Sequence, residues 1–383
     1  MIPYGRQEID EADIEAVVAV LRSDFLTQGP AVPRFEAALA ERVGAPHAVA
    51  VNSATSALHL ACLALGLGPG EQLWTSPITF VATANAARLC GAAVDFVDVD
   101  PATALMCPDR LAEKLARAER EGRLPTVVAP VHLGGQSCDM AAIGALAERY
   151  GVRVLEDASH AVGATEAGAP VGSCPHSDVA VFSFHPVKIV TTAEGGVATT
   201  RDADLAERMA RLRSHGITRD PALMTRAPNG PWYYQQRELG LNYRMTELQA
   251  ALGASQLARL DAFVDRRNAL AERYDARLAG LPLRPLARRA GVRSAFHLYV
   301  VLLDDHARHR AVFEGLRARG IGVNLHYIPV HLQPYYEGFG FRPGDFPAAE
   351  DYYARALSLP LWPGLGEADQ DAVIEALKAE LAP

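Results

Sequence analysis

Residues 178–196 read DVAVFSFHPVKIVTTAEGG, and this stretch decides the fold. Its run from Val179 to Phe184 is β-branched, aromatic or small and carries no charge, which is typical of a strand covered on both faces. Pro186 cannot donate to a continuing ladder, so we expect the chain to turn there and leave Lys188 at the rim of a sheet. A lysine in such an apolar setting can lose its proton and react with an aldehyde or ketone, although most strand-end lysines are merely solvated.

Length and composition limit the classes of protein that fit this stretch. The chain has 383 residues, enough for two lobes, because single cores stop growing at roughly 250 to 300 residues. We predict a large α/β domain over residues 1–245 and a small α+β domain over residues 246–383. The net charge of −8 argues against nucleic acid as a partner. Five widely spaced cysteines without a CxxC pair indicate neither a disulfide framework nor a metal site.

The sequence also bears on location. No stretch approaches the ~18 consecutive apolar residues of a membrane span, and the N-terminus lacks the apolar core of a signal peptide. We therefore expect a cytoplasmic protein with no membrane contact.

Strand and helix patterns alternate through the first 200 residues. The predicted strands before residue 178 cover residues 48–51, 73–76, 93–97, 127–131 and 152–156, with helices between them. This alternation is typical of a mostly parallel sheet, whose ligands bind beyond the carboxyl ends of its strands. Asp157 and Lys188 both follow such strands. The Asp157 carboxylate could hold a protonated ring nitrogen by a charge-assisted hydrogen bond, or it could cap a helix.

A turn of small residues follows the first predicted strand. Residues 52–56 read NSATS and lead into a helix predicted over residues 57–65. A strand, a small-residue turn and a helix start together offer free backbone N–H groups to an anion such as phosphate. The alternative is a plain N-capped helix, because serine and threonine are favoured caps.

Apolar stripes predict the remaining helices. Asp10 is placed to cap an N-terminal helix, and Thr246 opens a long one after the polar loop of residues 214–243. Further along, strands are predicted at residues 297–303 and 323–327 and a helix at residues 307–319. The residues that form the three stripes are Ile14, Val17, Val18 and Leu21; Leu248, Leu252, Leu257, Leu260 and Val264; and Val373, Ile374, Leu377 and Leu381.

Taken in order, these features resemble the fold type I pyridoxal-phosphate enzymes, and in particular the DegT/DnrJ/EryC1/StrS nucleotide-sugar aminotransferases. The resemblance covers essentially the whole chain. The motifs that carry it are NSATSAL (52–58), TFVATAN (79–85), EDASHAVGA (156–164), FSFHPVK (182–188) with TTAEGG (191–196), RSHG (213–216) and LGLNYRMTELQAALG (239–253).

The resemblance implies an aspartate aminotransferase-like fold, with a mostly parallel α/β large domain and a small α+β domain, and pyridoxal 5'-phosphate as cofactor. It implies two catalytic residues: Lys188, which binds the cofactor as a Schiff base and transfers the proton, and Asp157, which pairs with the ring nitrogen. The implied cofactor contacts are Phe80 on the ring face, His160 near the ring and its phenolic oxygen, Ala54, Thr55 and Ser183 at the phosphate, and Asn242 from the neighbouring subunit. The enzyme is therefore expected to be a homodimer with shared active sites.

The substrate pocket follows from the same resemblance. The segments IPYGRQ and SDFLTQGP, with SFHPVK and TTAEGG, resemble the branch that transfers the amino group of L-glutamate to C4 of a UDP-4-keto-6-deoxy-N-acetylhexosamine in pseudaminic acid biosynthesis. The implied substrate-binding residues are Tyr4, Leu26, Thr27, Gln28, Gly29, Ser56, His326 and Tyr327.

Four other functions compete with this one. A relative could act at another carbon, such as C3, or on a TDP- or GDP-sugar. A sugar dehydratase of the same fold would carry histidine in place of Lys188. A non-catalytic sensor would not need the pair of Lys188 and Asp157. An NAD-dependent oxidoreductase would need a glycine-rich strand-to-helix turn, which the sequence lacks.

Overall fold

The computed structural model describes residues 1–382 of the protein. The strands of the first 200 residues are β1 His47–Val51, β2 Gln72–Thr75, β3 Ala93–Phe96, β4 Val127–Ala129, β5 Arg153–Asp157, β6 Thr165–Glu166, β7 Ala169–Pro170, β8 Val179–Ser183 and β9 Gly196–Thr200. Seven of them form a central sheet in the order β1-β9-β8-β5-β4-β2-β3. Strand β9 runs antiparallel to β1 and β8, and every other adjacent pair is parallel. The predicted mostly parallel α/β sheet is confirmed.

Helices cover both faces of this sheet. They are α1 Glu11–Leu21, α2 Ala31–Val43, α3 Ala54–Ala64, α4 Ala82–Leu89, α5 Pro108–Arg120, α6 Met140–Tyr150 and α7 Ala203–Leu212. Strand β8 shows why the central strands are continuously apolar: Phe182 belongs to one buried cluster with α2, whereas Val179 and Val181 belong to another with α3 and α7. The prediction that this strand is covered on both faces is confirmed.

The remaining elements follow residue 212. The helices are α8 Glu247–Leu257, α9 Leu260–Leu278, α10 His309–Ala318, α11 Pro334–Glu337, α12 Pro347–Arg355 and α13 Glu367–Leu381, and the strands are β10 Ile217–Thr218, β11 Gln235–Gln236, β12 Leu283–Pro285, β13 Val292–Arg293, β14 Tyr299–Leu303 and β15 Ala356–Leu359. Strands β12, β14 and β15 form an antiparallel sheet that shares an apolar cluster with α9, α10 and α13. Helix α8 packs on α1 and α2 beside the central sheet. The division at residues 245 and 246 stays a prediction.

Two predicted elements differ from the structure. The long helix after Thr246 is two helices, α8 and α9, and Leu248 and Leu252 are only half-buried, while α8 buries Ala250 and Gly253 instead. The segment 323–327 is not a strand: it is irregular chain with a bend at His326 and a single bridge, between Asn324 and Ser358. Its apolar and aromatic composition reflects contact with a cavity and not strand pairing.

Helix α1 also buries a face other than its apolar stripe. Asp13 is fully buried, and its carboxylate accepts hydrogen bonds from Gln256 (2.5 Å) and from Arg259. Ile14 and Leu21, in contrast, are 48% and 57% exposed. The helix is therefore anchored through a buried carboxylate, while its apolar stripe is half-buried at Val17 and Val18 and exposed at its two ends.

In residues 1–382, no helix is both long enough and apolar enough to cross a membrane. The expected cytoplasmic location stays a prediction.

Candidate active site

A cavity of about 540 Å³ opens beyond the carboxyl ends of β4, β5 and β8. This is where a parallel α/β sheet places its ligands. The predicted residues that line it are Tyr4, Ala54, Thr55, Phe80, Asp157, His160, Ser183, Lys188, His326 and Tyr327. The cavity thus joins residues that lie up to 323 positions apart in the chain.

Other predicted residues do not line this cavity: Leu26, Thr27, Gln28, Gly29, Ser56 and Asn242. The Ser56 hydroxyl donates to Asn52 Oδ1 (2.7 Å) inside the turn before α3. The segment 26–29 lies against the start of α8, where the Glu247 N–H donates to the Leu26 carbonyl (3.0 Å). Asn242 is exposed and forms a bridge with Ser214. Their binding roles stay predictions.

Lys188 lies in the turn that follows β8. Its backbone N–H donates to the His185 carbonyl (2.9 Å), which closes the turn beside Pro186. Burial lowers the pKa of the Lys188 ammonium to about 8, against the opposing attraction of the Asp157 carboxylate. The amine is therefore much closer to losing its proton at neutral pH than a solvated lysine is.

Asp157 is the last residue of β5, and no helix begins after it, so the helix-cap alternative is wrong. Its Oδ2 accepts from the Thr83 hydroxyl (2.5 Å), and its Oδ1 accepts from the Ser159 N–H (3.1 Å). The Thr83 hydroxyl also contacts that of Thr79 (2.8 Å). These two donors fix the orientation of the carboxylate. Sequence reasoning missed Thr83, although its position four residues after Thr79 at the start of α4 was a usable signal.

The turn before α3 both caps a helix and leaves donors free. The Ser53 hydroxyl accepts from the Ser56 N–H (3.1 Å), so the cap is real. The amides of Ala54 and Thr55 lie in the first helical turn, where an amide has no intrahelical acceptor, and both residues line the cavity. The start of α3 lies close to Gly196 of β9, and this close packing needs a glycine, because a Cβ there would lie 2.5 Å from the Ala54 nitrogen.

Three buried imidazoles stand opposite Lys188: His160, His297 and His326. The His160 and His297 rings lie 4.4 Å apart between centroids. Burial, with a smaller contribution from the Lys188 charge, holds the pKa of His160 and of His297 well below the usual value. The same causes lower the pKa of His326 to about 3. His297 was missed because the sequence placed it in a predicted strand, with no sign that it faces a ligand.

These residues fit pyridoxal phosphate. The free amides at the start of α3 suit a phosphate, and the Asp157 carboxyl group suits a ring nitrogen. Phe80 presents a ring that is 58% exposed in the cavity, and Lys188 supplies the amine. No positioned cluster of metal-ligating side chains is found in residues 1–382. The fold and the site together define a pyridoxal-phosphate-dependent transferase.

Comparison with known proteins narrows this class. The model of the DegT/DnrJ/EryC1/StrS aminotransferase family matches residues 7–378, and the chain belongs to this family. The spore coat polysaccharide biosynthesis protein SpsC of Bacillus subtilis is 42% identical over 98% of this chain and 96% of its own length. The protein is thus a sugar aminotransferase that uses pyridoxal phosphate, with a sugar and an amino donor as substrates.

Solved structures agree with this assignment. Helicobacter pylori PseC, an aminotransferase of pseudaminic acid biosynthesis, has a TM-score of 0.91 at 30% identity and covers 99% of both chains. A Streptococcus pneumoniae structure assigned as a sugar aminotransferase, Spr1654 in its PLP form, has a TM-score of 0.90 at 30% identity over 99% of this chain and 98% of its own. The expected fold type I architecture is confirmed.

Proposed function

We propose that the enzyme transfers the amino group of L-glutamate to C4 of a UDP-4-keto-6-deoxy-N-acetylhexosamine and forms UDP-4-amino-4,6-dideoxy-N-acetyl-β-L-altrosamine. The observation that carries the proposal is one cavity that Lys188 and Asp157 line together with three polar side chains of irregular segments. These three residues, which we call the rim, are Tyr4, Asn324 and His326. The similarity to PseC supports the choice of sugar.

The site residues divide the work of a transamination. Bound pyridoxal phosphate supplies the electron sink for the pair of electrons left when the donor loses its Cα proton. The Lys188 Nζ accepts that proton and returns it, a role that suits an amine whose pKa is about 8. The Asp157 carboxylate, held by Thr83 and Ser159, keeps a proton on the ring nitrogen. Phe80 covers one face of the site.

The rim side chains suit the polar, uncharged sugar ring better than they suit the anionic groups of the substrates. His326 is held by its Nδ1 contact with the Ser358 hydroxyl (2.8 Å), and its ring lies 5.2 Å from that of Tyr4. Among the residues described, no arginine lines the cavity. The diphosphate and the donor carboxylates therefore need cations from outside this wall.

A second copy of the chain would complete the site, so the proposal includes a homodimer with shared active sites. Asn242 and residues 26–29 lie outside the cavity of their own chain, as expected of groups that serve a neighbouring subunit. The exposed apolar side chains of Ile14, Leu21 and Phe25 provide a surface for association.

Leu21→Lys places a charge on this surface, so it should weaken self-association in sedimentation velocity. A dimer of unchanged affinity would argue against this surface.

The substrate assignment is tested with UDP-2-acetamido-2,6-dideoxy-β-L-arabino-hexos-4-ulose and L-glutamate, with NMR analysis of the product. We expect UDP-4-amino-4,6-dideoxy-N-acetyl-β-L-altrosamine in the wild-type reaction and no 4-amino sugar with Lys188→Ala. If this sugar is not aminated while another keto sugar is, the substrate assignment is wrong and the family assignment stands.

A second candidate is amination of a different nucleotide-linked keto sugar, at C3 or on a TDP- or GDP-sugar. The 42% identical relative is named for spore coat polysaccharide biosynthesis, which favours a product destined for a polysaccharide. The same assay with TDP- and GDP-linked 3-keto and 4-keto sugars separates the two candidates by comparing kcat/KM.

A further inference from the structure

A hydrogen-bond chain with a defined direction crosses the cavity wall from Gly134 through His160 to Tyr327. The Gly134 N–H donates to His160 Nδ1 (3.2 Å), and His160 Nε2 lies 3.1 Å from the Tyr327 hydroxyl. The two rings are nearly parallel, at 23°. Both imidazole nitrogens are therefore occupied by the protein itself.

The backbone amide determines the tautomer of His160. An amide N–H can only donate, so Nδ1 is an acceptor and carries no hydrogen. A neutral imidazole has one ring hydrogen, which must then be on Nε2. Burial and the nearby Lys188 charge lower the pKa of His160 well below its usual value, in keeping with the neutral ring. His160 Nε2–H thus donates to the Tyr327 oxygen.

The donor at the start of this chain is rigidly held. The carbonyls of Gly134 and Gly135 accept from the N–H groups of Leu298 (3.1 Å) and Ala295 (3.0 Å). Gly134 has a φ of 69°, and a Cβ at Gly135 would lie 2.9 Å from the His160 carbonyl oxygen. The Gly134 N–H shares its peptide plane with the Leu133 carbonyl, which accepts from the Gln136 N–H (3.3 Å), so bonds within the turn hold this donor toward His160.

Tyr327 ends the chain with a hydroxyl hydrogen that has no protein acceptor in residues 1–382. Its oxygen accepts from His160, and no other hydrogen bond of this hydroxyl is formed, although Tyr327 lines the cavity beside Phe80. We propose that Tyr327 donates its hydroxyl hydrogen to a ligand oxygen in the active site, and that His160 is the positioning residue that sets this direction. This inference rests on the proposed function, because that function supplies the ligand.

The ligand atom that meets Tyr327 must be a hydrogen-bond acceptor, because Tyr327 offers it a hydrogen. Two acceptor oxygens belong to the reacting groups of the proposed reaction: the keto oxygen of the sugar and the phenolic oxygen of the cofactor. Tyr327 could donate to either oxygen. Loss of a bond to the cofactor can be measured without the sugar, whereas loss of a bond to the keto group can be measured only when the sugar is present.

The tautomer is tested first, on full-length protein labelled with ¹⁵N-histidine, with and without cofactor. We expect the His160 signals, assigned by their absence in His160→Gln, to show a bare Nδ1 and a protonated Nε2. A hydrogen on Nδ1 would overturn the proposal. This measurement does not depend on which sugar is the substrate, so it can fail or succeed independently of the proposed function.

The donor is tested with Tyr327→Phe, with Tyr274→Phe as a control. Tyr274 is a buried tyrosine outside the cavity that donates to the Pro360 carbonyl (2.9 Å), so its variant reports the general effect of losing a buried hydroxyl. If the cofactor is the acceptor, Tyr327→Phe raises the pH at which the absorbance of bound cofactor reports a negative phenolic oxygen, before any sugar is added. If the sugar is the acceptor, that titration is unchanged and kcat with the keto sugar falls about 10- to 100-fold. A variant unchanged in both measurements overturns the proposal.

The role of His160 is tested by rescue. Tyr327→Phe is expected to change either the cofactor titration or kcat with the keto sugar. In His160→Gln the side-chain amide can still donate to Tyr327, so we expect that same measurement to stay near its wild-type value. In His160→Leu no donor remains, so we expect the value found for Tyr327→Phe. Equal behaviour of the two His160 variants would overturn the positioning role, whatever their thermal stability.

Discussion

The floor and the rim of the cavity are built differently. We call Asp157, Lys188 and the turn before α3 the floor: Asp157 ends β5, Lys188 follows β8, and the turn begins α3. The rim residues Tyr4 and His326 lie at bends in irregular chain. The Leu361 N–H donates to the Tyr4 carbonyl (3.0 Å), and the Tyr352 hydroxyl donates to the His326 carbonyl (2.6 Å). Regular structure thus positions the groups proposed for the chemistry, while irregular segments form the surface proposed to select the sugar.

The strongest test of this contrast is removal of the floor amine. Lys188→Ala should lower kcat by at least ~10³-fold in both half-reactions, because no other amine lines the cavity among the described residues. Lys378→Ala, on α13 and outside the cavity, is the matched control. Turnover within tenfold of wild type would remove Lys188 from the mechanism.

The carboxylate of the floor comes next in expected effect. Asp157→Asn should lower kcat by ~10²-fold or more, since the amide cannot keep a proton on the ring nitrogen by charge. Thr83→Val removes only one donor to that carboxylate, so we expect a smaller loss, about tenfold. Stopped-flow absorbance of the glutamate half-reaction measures both. A larger loss for Thr83→Val than for Asp157→Asn would contradict this order.

A rim substitution should separate sugar binding from donor chemistry. Tyr4→Leu removes the ring beside His326, so KM for the keto sugar should rise about tenfold while the glutamate half-reaction stays within about twofold of wild type. The measurement is a pair of steady-state and single-turnover experiments. If both half-reactions fall together, the division between floor and rim is wrong.

The smallest expected effect concerns the pH dependence of the rate at which the protein binds pyridoxal phosphate. The pKa of Lys188 is lowered to about 8, so the neutral amine is the minor form below that pH and dominates above it. The rate at which cofactor-free protein binds pyridoxal phosphate should rise as the pH increases through about 8. In Asp157→Asn the opposing attraction is lost, so the midpoint should move to lower pH. A midpoint above 10 in wild type would mean that Lys188 is solvated.

Much of the floor could be predicted because its residues are close in sequence to strong local patterns. The apolar run of residues 179–184, broken by Pro186, indicated a strand end before Lys188, and the turn of residues 52–56 indicated a helix start. The rim was harder: residues 323–327 have strand-like composition, yet they pair at one position only. Local composition does not show whether an apolar face meets a strand or a cavity.

The sequence by itself determined the alternating α/β order, the exposed strand ends and the set of residue types that pyridoxal phosphate requires, because period and composition are local properties of the chain. Only the tertiary structure decided which hydroxyl holds Asp157, that the His297 and His160 rings lie 4.4 Å apart, and that α1 buries Asp13 while Ile14 is exposed. Each of these depends on contacts between segments 70 or more residues apart, where a side chain's partner is set by packing and not by its neighbours in the sequence.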